Sequence, residues 1–267
     1  MGTGFSGQYL KKNSRGLQQL KLRLMIKLLP AIQRWRNFRR KLAKPKKMAI
    51  TLPCQITDNL EGAAEHFQKH GWVFLENIIE PSFHQLLLKN WPKKYYFNPP
   101  RKMTKSYNTG FNWTFHQETL PENIEKNPVL LAFFNYLRSP EMAGRINKFT
   151  NRNKDFSFYS FILNSTYTGS QVAPHKDGIA EDHRLTDIIN LVFFVNGKGG
   201  KKSGGLMIAK DNELNDVIFE PQNLFNSCLI YDIKADFYHG FPPVAPGKFR
   251  WAINSQFGEK EFIDLTK

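Results

Sequence analysis

Between residues 156 and 254 the sequence runs through short β-prone segments separated by Gly, Pro and Asn, and this series most constrains the fold. The clearest segment covers residues 188–196. The others lie at 156–163, 204–208, 217–219, 228–231 and 247–254. Strands this short and this closely spaced are typical of an all-β barrel or sandwich. The sequence therefore predicts a mainly β core over residues 155–267.

The preceding segment, residues 58–154, carries helix signals instead. Helices are predicted at 60–69, 81–88, 127–137 and 140–149, with one short strand at 72–75. Asp58 is a candidate cap for the first helix, and Pro81 suits the first turn of the second. We expect a helical region that supports the β core, so the fold class is α+β with a mainly β core.

Residues 1–57 form the third predicted segment, a basic extension with a linker. They contain fourteen Lys and Arg residues and no Asp or Glu. The rest of the chain carries 24 basic and 23 acidic residues, so the formal net charge of +15 resides almost entirely in the extension. This asymmetry predicts an anionic partner for the extension and none for the remainder.

The extension also has helical periodicity. Ile32, Trp35, Phe38 and Leu42 recur on one helical face, with arginines around the rest. A basic amphipathic helix of this kind suits an anionic membrane surface, and residues 10–47 are the segment that would bind it. Two alternatives remain open: a cleaved organellar presequence, or a helix that packs on the domain or frays in solution.

His175 and Asp177 are candidate metal ligands, because alternate strand residues share a face and both side chains then point the same way. His239 lies far along the chain and must come from a distant strand. Two imidazoles and one carboxylate form the facial triad, which holds Fe(II) and leaves coordination positions open. A His-x-Asp pair alone is a weak signal, since it arises by chance in many chains.

A basic residue after the second histidine extends this pattern. The Arg250 guanidinium can pair with a carboxylate through two hydrogen bonds, which the point charge of a lysine does less well. Lys248 is the rival, because strand alternation places it on the same face as Arg250. The chemistry favours Arg250.

The surrounding residues form an ordered set of motifs. The run is Tyr167-x-Gly169-x-Gln171-x-x-Pro174-His175-x-Asp177, followed by Arg184-x-Thr186, Asn196, Gly204-Gly205, His239-Gly240, Pro243-Val244, Gly247 and Arg250. Over residues 155–257 the sequence resembles the 2-oxoglutarate and Fe(II)-dependent oxygenases, most closely the prolyl-hydroxylase-like and phytanoyl-hydroxylase-like branches. Several elements in order are far more specific than any one of them.

The resemblance implies a double-stranded β-helix, or jelly roll, buttressed by N-terminal helices. It implies that His175, Asp177 and His239 hold Fe(II), with 2-oxoglutarate as co-substrate and O2 as oxidant. Arg250 matches the residue that pairs with the distal carboxylate of 2-oxoglutarate, although many relatives carry that basic residue one or two positions earlier. Tyr167 matches a tyrosine that often contacts the co-substrate, and Asn190 lies where another contact can arise. For both, packing or a surface hydrogen bond is the alternative.

The predicted reaction is hydroxylation of a C–H bond with decarboxylation of 2-oxoglutarate to succinate. Halogenating relatives replace the carboxylate ligand by a small residue, whereas Asp177 is present here. Nucleic-acid demethylating relatives carry a second arginine at the position of Gln256, which argues against a nucleic-acid partner. A peptidyl, lipid or glycan, or small-molecule substrate stays open. The rival class is a non-enzymatic β-barrel binding module, tethered to a membrane or another anionic partner by the basic helix.

Two cysteines do not make a disulfide framework, and no apolar stretch is long enough to span a membrane. No secretory signal is evident. We therefore expect a cytoplasmic protein, with peripheral membrane association if the basic helix binds lipid.

Overall fold

The computed structural model describes residues 28, 30–44, 49–98, 107–108, 110–116, 124–152, 154–177 and 187–259. The chain divides by its contacts into two units, Met1–Ala43 and Lys44–Lys267. The first contains the helix α1 over residues 30–42. The second contains the other described helices and the strands. The predicted segments 1–57, 58–154 and 155–267 stay a prediction, because contact units do not test independent folding.

Five helices precede most of the strands of the second unit. They are α2 (Asn59–Gly62), α3 (Ala64–His70), α4 (Pro81–Lys89), α5 (Pro128–Leu137) and α6 (Pro140–Thr150). The last three begin at a proline, whose fixed φ suits the first helical turn. The residue before each proline, namely Glu80, Asn127 and Ser139, accepts a hydrogen bond from a backbone N–H in the first turn. Short 3-10 turns cover Lys94–Tyr96 and Ile124–Lys126.

The helix predicted over 60–69 is wrong in its continuity and in its cap. Ala63 leaves the helical region at φ −102° and ψ 1°, directly after Gly62, a weak helix former, so two short helices replace one. Asp58 makes no side-chain capping bond, because its own backbone is already helical. Its carboxylate lies 3.7 Å from Arg145 Nη2 instead.

The described strands form two antiparallel sheets. The strands are β1 (Trp72–Glu76), β2 (Tyr107–Asn108), β3 (Phe111–His116), β4 (Phe156–Thr166), β5 (Gln171–His175), β6 (Ile188–Gly197), β7 (Met207–Ala209), β8 (Val217–Phe219), β9 (Ser227–Asp232), β10 (Tyr238–Phe241) and β11 (Arg250–Glu259). One sheet has the order β1-β9-β6-β11-β4-β3 and the other the order β2-β5-β10-β7-β8. From β4 onward, the chain changes sheet at nearly every connection.

Some strand boundaries differ from the prediction. The final strand, predicted from residue 247, begins at Arg250, because Lys248 N donates to Ala245 O in a turn. The strand predicted from residue 204 begins at Met207, because Gly204 adopts a φ of 86° and bends the chain. β2 and β3 were not predicted, since their aromatic residues lie in sequence without clear alternation.

The six-stranded sheet lies between two apolar layers. One face packs on the helices, where its residues Phe161, Ile189, Leu191, Phe193 and Val195 share a core with Phe133 of α5. The alternate positions face the five-stranded sheet and form a second core that includes Val172, Val192, Phe194, Ile208 and Phe241. The predicted α+β class is confirmed at this level, as a mixture of helices and antiparallel sheets.

Two further expectations can be compared with the structure. Among the described helices, none has both the length and the apolar character needed to cross a membrane. Cys54 is half-buried and Cys228 is buried, and both are free thiols.

His84 on α4 is buried against the six-stranded sheet, with Nε2 2.8 Å from Val195 O on β6. Burial lowers the pKa of His84, because the charged imidazolium would lose its hydration. The unfolded chain, with an ordinary histidine pKa of about 6.5, therefore binds more protons than the folded chain in mild acid. The contribution of neutral His84 is fully present above that pH and is lost as the pH falls below it.

His84→Gln keeps an N–H donor for Val195 and cannot titrate. We expect the wild type to lose about 1 kcal/mol more free energy of unfolding than the variant between about pH 7.5 and about pH 5.5. Urea unfolding at both pH values measures this difference, and the variant itself controls for the other histidines. An equal loss in both proteins would contradict the prediction.

Candidate metal centre

The two histidines face each other across the neighbouring strands β5 and β10. His239 is registered directly opposite His175 in the antiparallel ladder, and the ring centroids lie 4.4 Å apart. Asp177 Oδ1 lies 3.4 Å from His175 Nε2 and 3.5 Å from His239 Nε2. One ligand atom from each residue lies within 4.8 Å of the other two. The three predicted ligands therefore meet, and the group could hold a metal ion.

Hydrogen bonds orient the first histidine. His175 Nδ1 lies 2.9 Å from Ala173 O and carries the proton that it donates to this carbonyl. Nε2, the other ring nitrogen, faces Asp177, and it is the nitrogen that would bind a metal. His239 is buried, with only 4% of its surface exposed.

The Asp177 carboxylate divides its two oxygens between separate partners. Oδ2 accepts hydrogen bonds from Asn190 Nδ2 at 3.1 Å and from the Tyr231 hydroxyl at 3.2 Å, so Oδ1 is the oxygen that faces the imidazoles. Burial raises the pKa of Asp177, but hydrogen bonds from His175 and His239 outweigh it and hold the pKa well below its usual range. The hydrogen bond with Asp177 in turn raises the pKa of His175.

The metal-ligand group and Arg250 line one cavity of about 260 Å³. Its wall is rich in carboxamide side chains, which are polar but carry no net charge. They are Asn112, Asn164, Asn190, Asn254 and Gln256. Among the lining residues that the structure describes, Arg250 is the only arginine or lysine. The cavity thus combines an anionic ligand at Asp177 with a cation at Arg250.

Arg250 is buried, with 3% of its surface exposed. Its Nη2 donates to Asn164 Oδ1 at 2.8 Å, its Nη1 donates to Gly204 O, and its guanidinium lies 4.8 Å from the Phe241 ring centroid. Lys248 does not share this face, contrary to the prediction, because the strand begins only at Arg250. Lys248 Nζ donates to Gly199 O at 2.9 Å.

The other two predicted co-substrate contacts lie in different places. Asn190 lines the cavity beside Asp177. Tyr167 instead borders a second cavity of about 370 Å³, together with Trp91 and Trp251. Asn164 within β4 lines the cavity of the metal-ligand group, whereas Tyr167 follows the end of β4 in a turn, where Ser170 N donates to Tyr167 O. The structure therefore does not bring Tyr167 to the triad.

Neither a protein-family model nor a curated protein matches this sequence. Solved structures do match. A prolyl hydroxylase from Trichoplax adhaerens, in complex with a peptide fragment of the hypoxia inducible factor oxygen degradation domain, has a TM-score of 0.58 at 13% identity, covering 79% of this chain and 94% of that one. A Pseudomonas putida prolyl-4-hydroxylase has a TM-score of 0.54 at 15% identity, covering 75% and 99%.

A third structure extends the comparison beyond prolyl hydroxylases. SnoN, a non-haem alpha-ketoglutarate-dependent epimerase of nogalamycin biosynthesis, has a TM-score of 0.50 at 11% identity, covering 74% of this chain and 82% of that one. The chain has the prolyl-hydroxylase-type oxygenase fold. At these identities the likeness shows the fold alone, so the activity must be argued from the site.

Sequence reasoning about this oxygenase fold missed several polar residues of the cavity. Tyr231 lies in the predicted strand 228–231, and Asn164 directly follows the predicted strand 156–163. Gln256 was used only to argue against a nucleic-acid substrate. A signal did exist for Asn164, because it directly follows the apolar run Phe161-Ile162-Leu163 in the same strand, and a buried polar residue needs partners. Gln256 carries no such signal, since Asn254 and Ser255 beside it are polar too.

Replacing His239 by Ala removes one of the three converging ligand atoms. We expect His239→Ala to weaken Co(II) binding by at least about 100-fold, a loss of about 2.8 kcal/mol. Anaerobic titration followed by the visible absorption of bound Co(II) measures this. His66→Ala is the matched control, since His66 lies on α3 outside the cavity, and its binding should equal that of the wild type. Unchanged Co(II) affinity in His239→Ala would exclude His239 as a ligand.

Proposed function

We propose that this protein is a 2-oxoglutarate and Fe(II)-dependent dioxygenase that hydroxylates a C–H bond of its substrate and converts 2-oxoglutarate to succinate. One observation carries the proposal: the His175, Asp177 and His239 group lines the same cavity as the buried Arg250. A co-substrate with one group that binds a metal and a second group that is anionic would find a partner for each in this cavity, the first at the metal-ligand set and the second at the buried cation.

The triad fits Fe(II) by its chemistry. His175 Nε2, His239 Nε2 and Asp177 Oδ1 converge, and a metal ion bound among them would take the place of the protons through which the imidazoles hydrogen-bond the carboxylate. Two imidazole nitrogens and one carboxylate oxygen are the ligand set of non-haem Fe(II) oxygenases. When bound, the iron supplies the redox chemistry by which O2 oxidises the substrate. The protein's part is to hold the ligands, through Ala173, Asn190 and Tyr231.

Arg250 would bind the distal carboxylate of 2-oxoglutarate. Its guanidinium is buried beside the Phe241 ring, so a charge-assisted pair there would be little weakened by water. Asn164 holds the guanidinium through Nη2, which limits its rotation. Lys248 lies in a turn outside the cavity, with its Nζ bonded to Gly199 O, which supports Arg250 as the residue with this role.

The strand order supports a double-stranded β-helix for the catalytic core. In that topology successive strands alternate between two facing sheets. From β4 to β11 the order is β9-β6-β11-β4 in one sheet and β5-β10-β7-β8 in the other. β1 and β3 extend the first sheet, β2 extends the second, and α4–α6 buttress the first. We propose residues 155–267 as this core.

The substrate class stays open within this proposal. The Trichoplax adhaerens enzyme was solved with a peptide fragment, so peptides containing proline belong in the first substrate panel, beside small metabolites, lipids and glycans. The free thiols of Cys54 and Cys228 are consistent with the reducing cytoplasm, where Fe(II) persists. A non-enzymatic binding module is the second candidate, and it would bind Fe(II) and 2-oxoglutarate without forming succinate in the presence of any panel member.

We further propose that α1 binds an anionic membrane surface. Its apolar residues are exposed on one helical face: Ile32 (37%), Trp35 (54%), Phe38 (58%) and Leu42 (61%). Leu28, which precedes α1, is also exposed (54%). Arginines at 34, 39 and 40 and Lys41 occupy the other sides, and the helix has no acid. Apolar and cationic surfaces on one helix suit lipid better than an acidic protein or free solvent. Of the predicted segment 10–47, residues 10–27, 29 and 45–47 lie outside the described residues.

Arg250→Ala removes the proposed partner of the 2-oxoglutarate carboxylate. Because a desolvated charge-assisted pair contributes a few kcal/mol, we expect the 2-oxoglutarate concentration for half-maximal succinate formation to rise by about 100-fold or more. Lys248→Ala is the matched control and should behave as the wild type. The opposite result, a loss in Lys248→Ala alone, would transfer the role to Lys248.

The double variant Trp35→Ser/Phe38→Ser removes apolar surface from α1 and keeps every charge. We expect the wild type to sediment with vesicles of anionic lipid at low salt and this variant to bind at least about tenfold more weakly. Salt should weaken both, because each basic residue near the surface adds up to about 1 kcal/mol that ions screen. Ile218→Ser, on an exposed strand of the second unit, is the control. Equal binding by all three proteins would contradict the proposal.

A further inference from the structure

Four side chains form a continuous row of hydrogen bonds that ends on the candidate ligand Asp177. Ser160 Oγ donates to Gln256 Oε1 at 2.5 Å, and Gln256 Nε2 donates to Asn190 Oδ1 at 2.9 Å. Asn190 Nδ2 then donates to Asp177 Oδ2 at 3.1 Å. The row crosses three neighbouring strands, β4, β11 and β6. Gln256 is registered opposite Ser160 on one side and opposite Asn190 on the other.

The carboxylate fixes the direction of every bond in this row. An ionised carboxylate only accepts, so Asn190 must present its NH2 group to Asp177. The Asn190 oxygen must then face Gln256, which has to present its own NH2 group. The Gln256 oxygen accordingly accepts from the Ser160 hydroxyl. Each amide has one satisfactory orientation, and both orientations follow from the charge at Asp177.

Burial makes the row costly to break. Ser160 and Asn190 are 2% and 5% exposed. In such surroundings a donor or acceptor that loses its partner cannot form a replacement hydrogen bond with water. Both ends of the Asn190 amide are engaged, one with Gln256 and one with Asp177. Asn190 therefore acts on the carboxylate and does not depend on a contact with the co-substrate.

We infer that Ser160, Gln256 and Asn190 are positioning residues for Asp177. They hold Oδ2, so that Oδ1 stays directed at His175 Nε2 and His239 Nε2. The inference rests on the proposed function only in that a divalent ion binds at the triad. Partners of metal ligands typically contribute about 10- to 100-fold to metal affinity. The effect should decrease along the row, from Asn190 through Gln256 to Ser160.

The test is Co(II) binding to the full chain, measured by titration and by the visible absorption of the bound ion. We expect Asn190→Ala to weaken binding by about 10- to 100-fold and Gln256→Met by about 10-fold, each with an altered Co(II) spectrum. Ser160→Ala should weaken it by a few-fold, and Ser160→Thr, which keeps the hydroxyl, should restore it. In the double variant Asn190→Ala/Gln256→Met the loss should equal that of Asn190→Ala alone, because Gln256 acts through Asn190.

Ser255→Ala is the matched control. Ser255 lies on the same strand as Gln256, is fully buried, and has no hydrogen-bond partner for Oγ among the described residues. It should bind Co(II) as the wild type does. Thermal unfolding checks that each variant is folded. If Asn190→Ala is unfolded, the Co(II) affinities of Ser160→Ala, Ser160→Thr and Gln256→Met test the inference.

Co(II) affinity and spectrum unchanged in Gln256→Met and Ser160→Ala would overturn the inference, as would additive losses in the double variant. Failure of the proposed function has a different signature. A wild-type protein that binds Co(II), loses affinity along the row and yet forms no succinate leaves the positioning role intact and removes the oxygenase. A wild-type protein that binds no Co(II) overturns both.

Discussion

The pairing of β5 with β10 is the contact on which the candidate site depends. It places His239 directly opposite His175, and a slip of one residue would turn one imidazole to the other face of the sheet. Gly240 makes this register possible, because a Cβ there would lie 2.6 Å from Val172 O and 2.9 Å from Pro174 N. Pro174 offers no N–H to the ladder, and the register of the two strands shifts between His239 and Phe241.

The six-stranded sheet serves two purposes through simple alternation. Along β6, Ile189, Leu191 and Phe193 pack on the helices, and Asn190 points to the opposite face. The apolar positions build the core that holds the sheet in place. The alternate positions are then free to carry polar groups into the cavity. Because the helices and the sheet pack over a large apolar area, the strands that carry the polar row are held at fixed separations.

Polar groups inside this fold stabilise it only because they satisfy one another. Arg250 would be costly if it were buried alone, and Asn164 Oδ1, Gly204 O and the Phe241 ring surround its charge. Asp177 is kept ionised by hydrogen bonds that outweigh its burial. The two charges lie in one cavity whose other described polar walls are mostly neutral amides. Neutral amides can form hydrogen bonds with a charged co-substrate and leave its charge to pair with Arg250 or a metal ion.

The sequence by itself predicted the strand-rich core and three helix starts, and it proposed His175, Asp177, His239 and Arg250 as site residues. These depend on local physics: alternation, capping, and which side chains can bind a metal or a carboxylate. It also separated the basic extension from the rest. It predicted that Tyr167 contacts the co-substrate and that Lys248 lies on the same strand face as Arg250. The structure puts Tyr167 at a different cavity and Lys248 in a turn.

Only the tertiary structure decided the partners of these residues. Local sequence cannot tell which strands become neighbours, and the row from Ser160 to Asp177 exists only because β4, β11 and β6 are adjacent and in register. The same holds for Tyr231, a core-like residue in sequence whose hydroxyl reaches Asp177 across strands. Ligand types are fixed by chemistry within a few residues, whereas their hydrogen-bond partners are fixed by the strand order and register of the folded sheets.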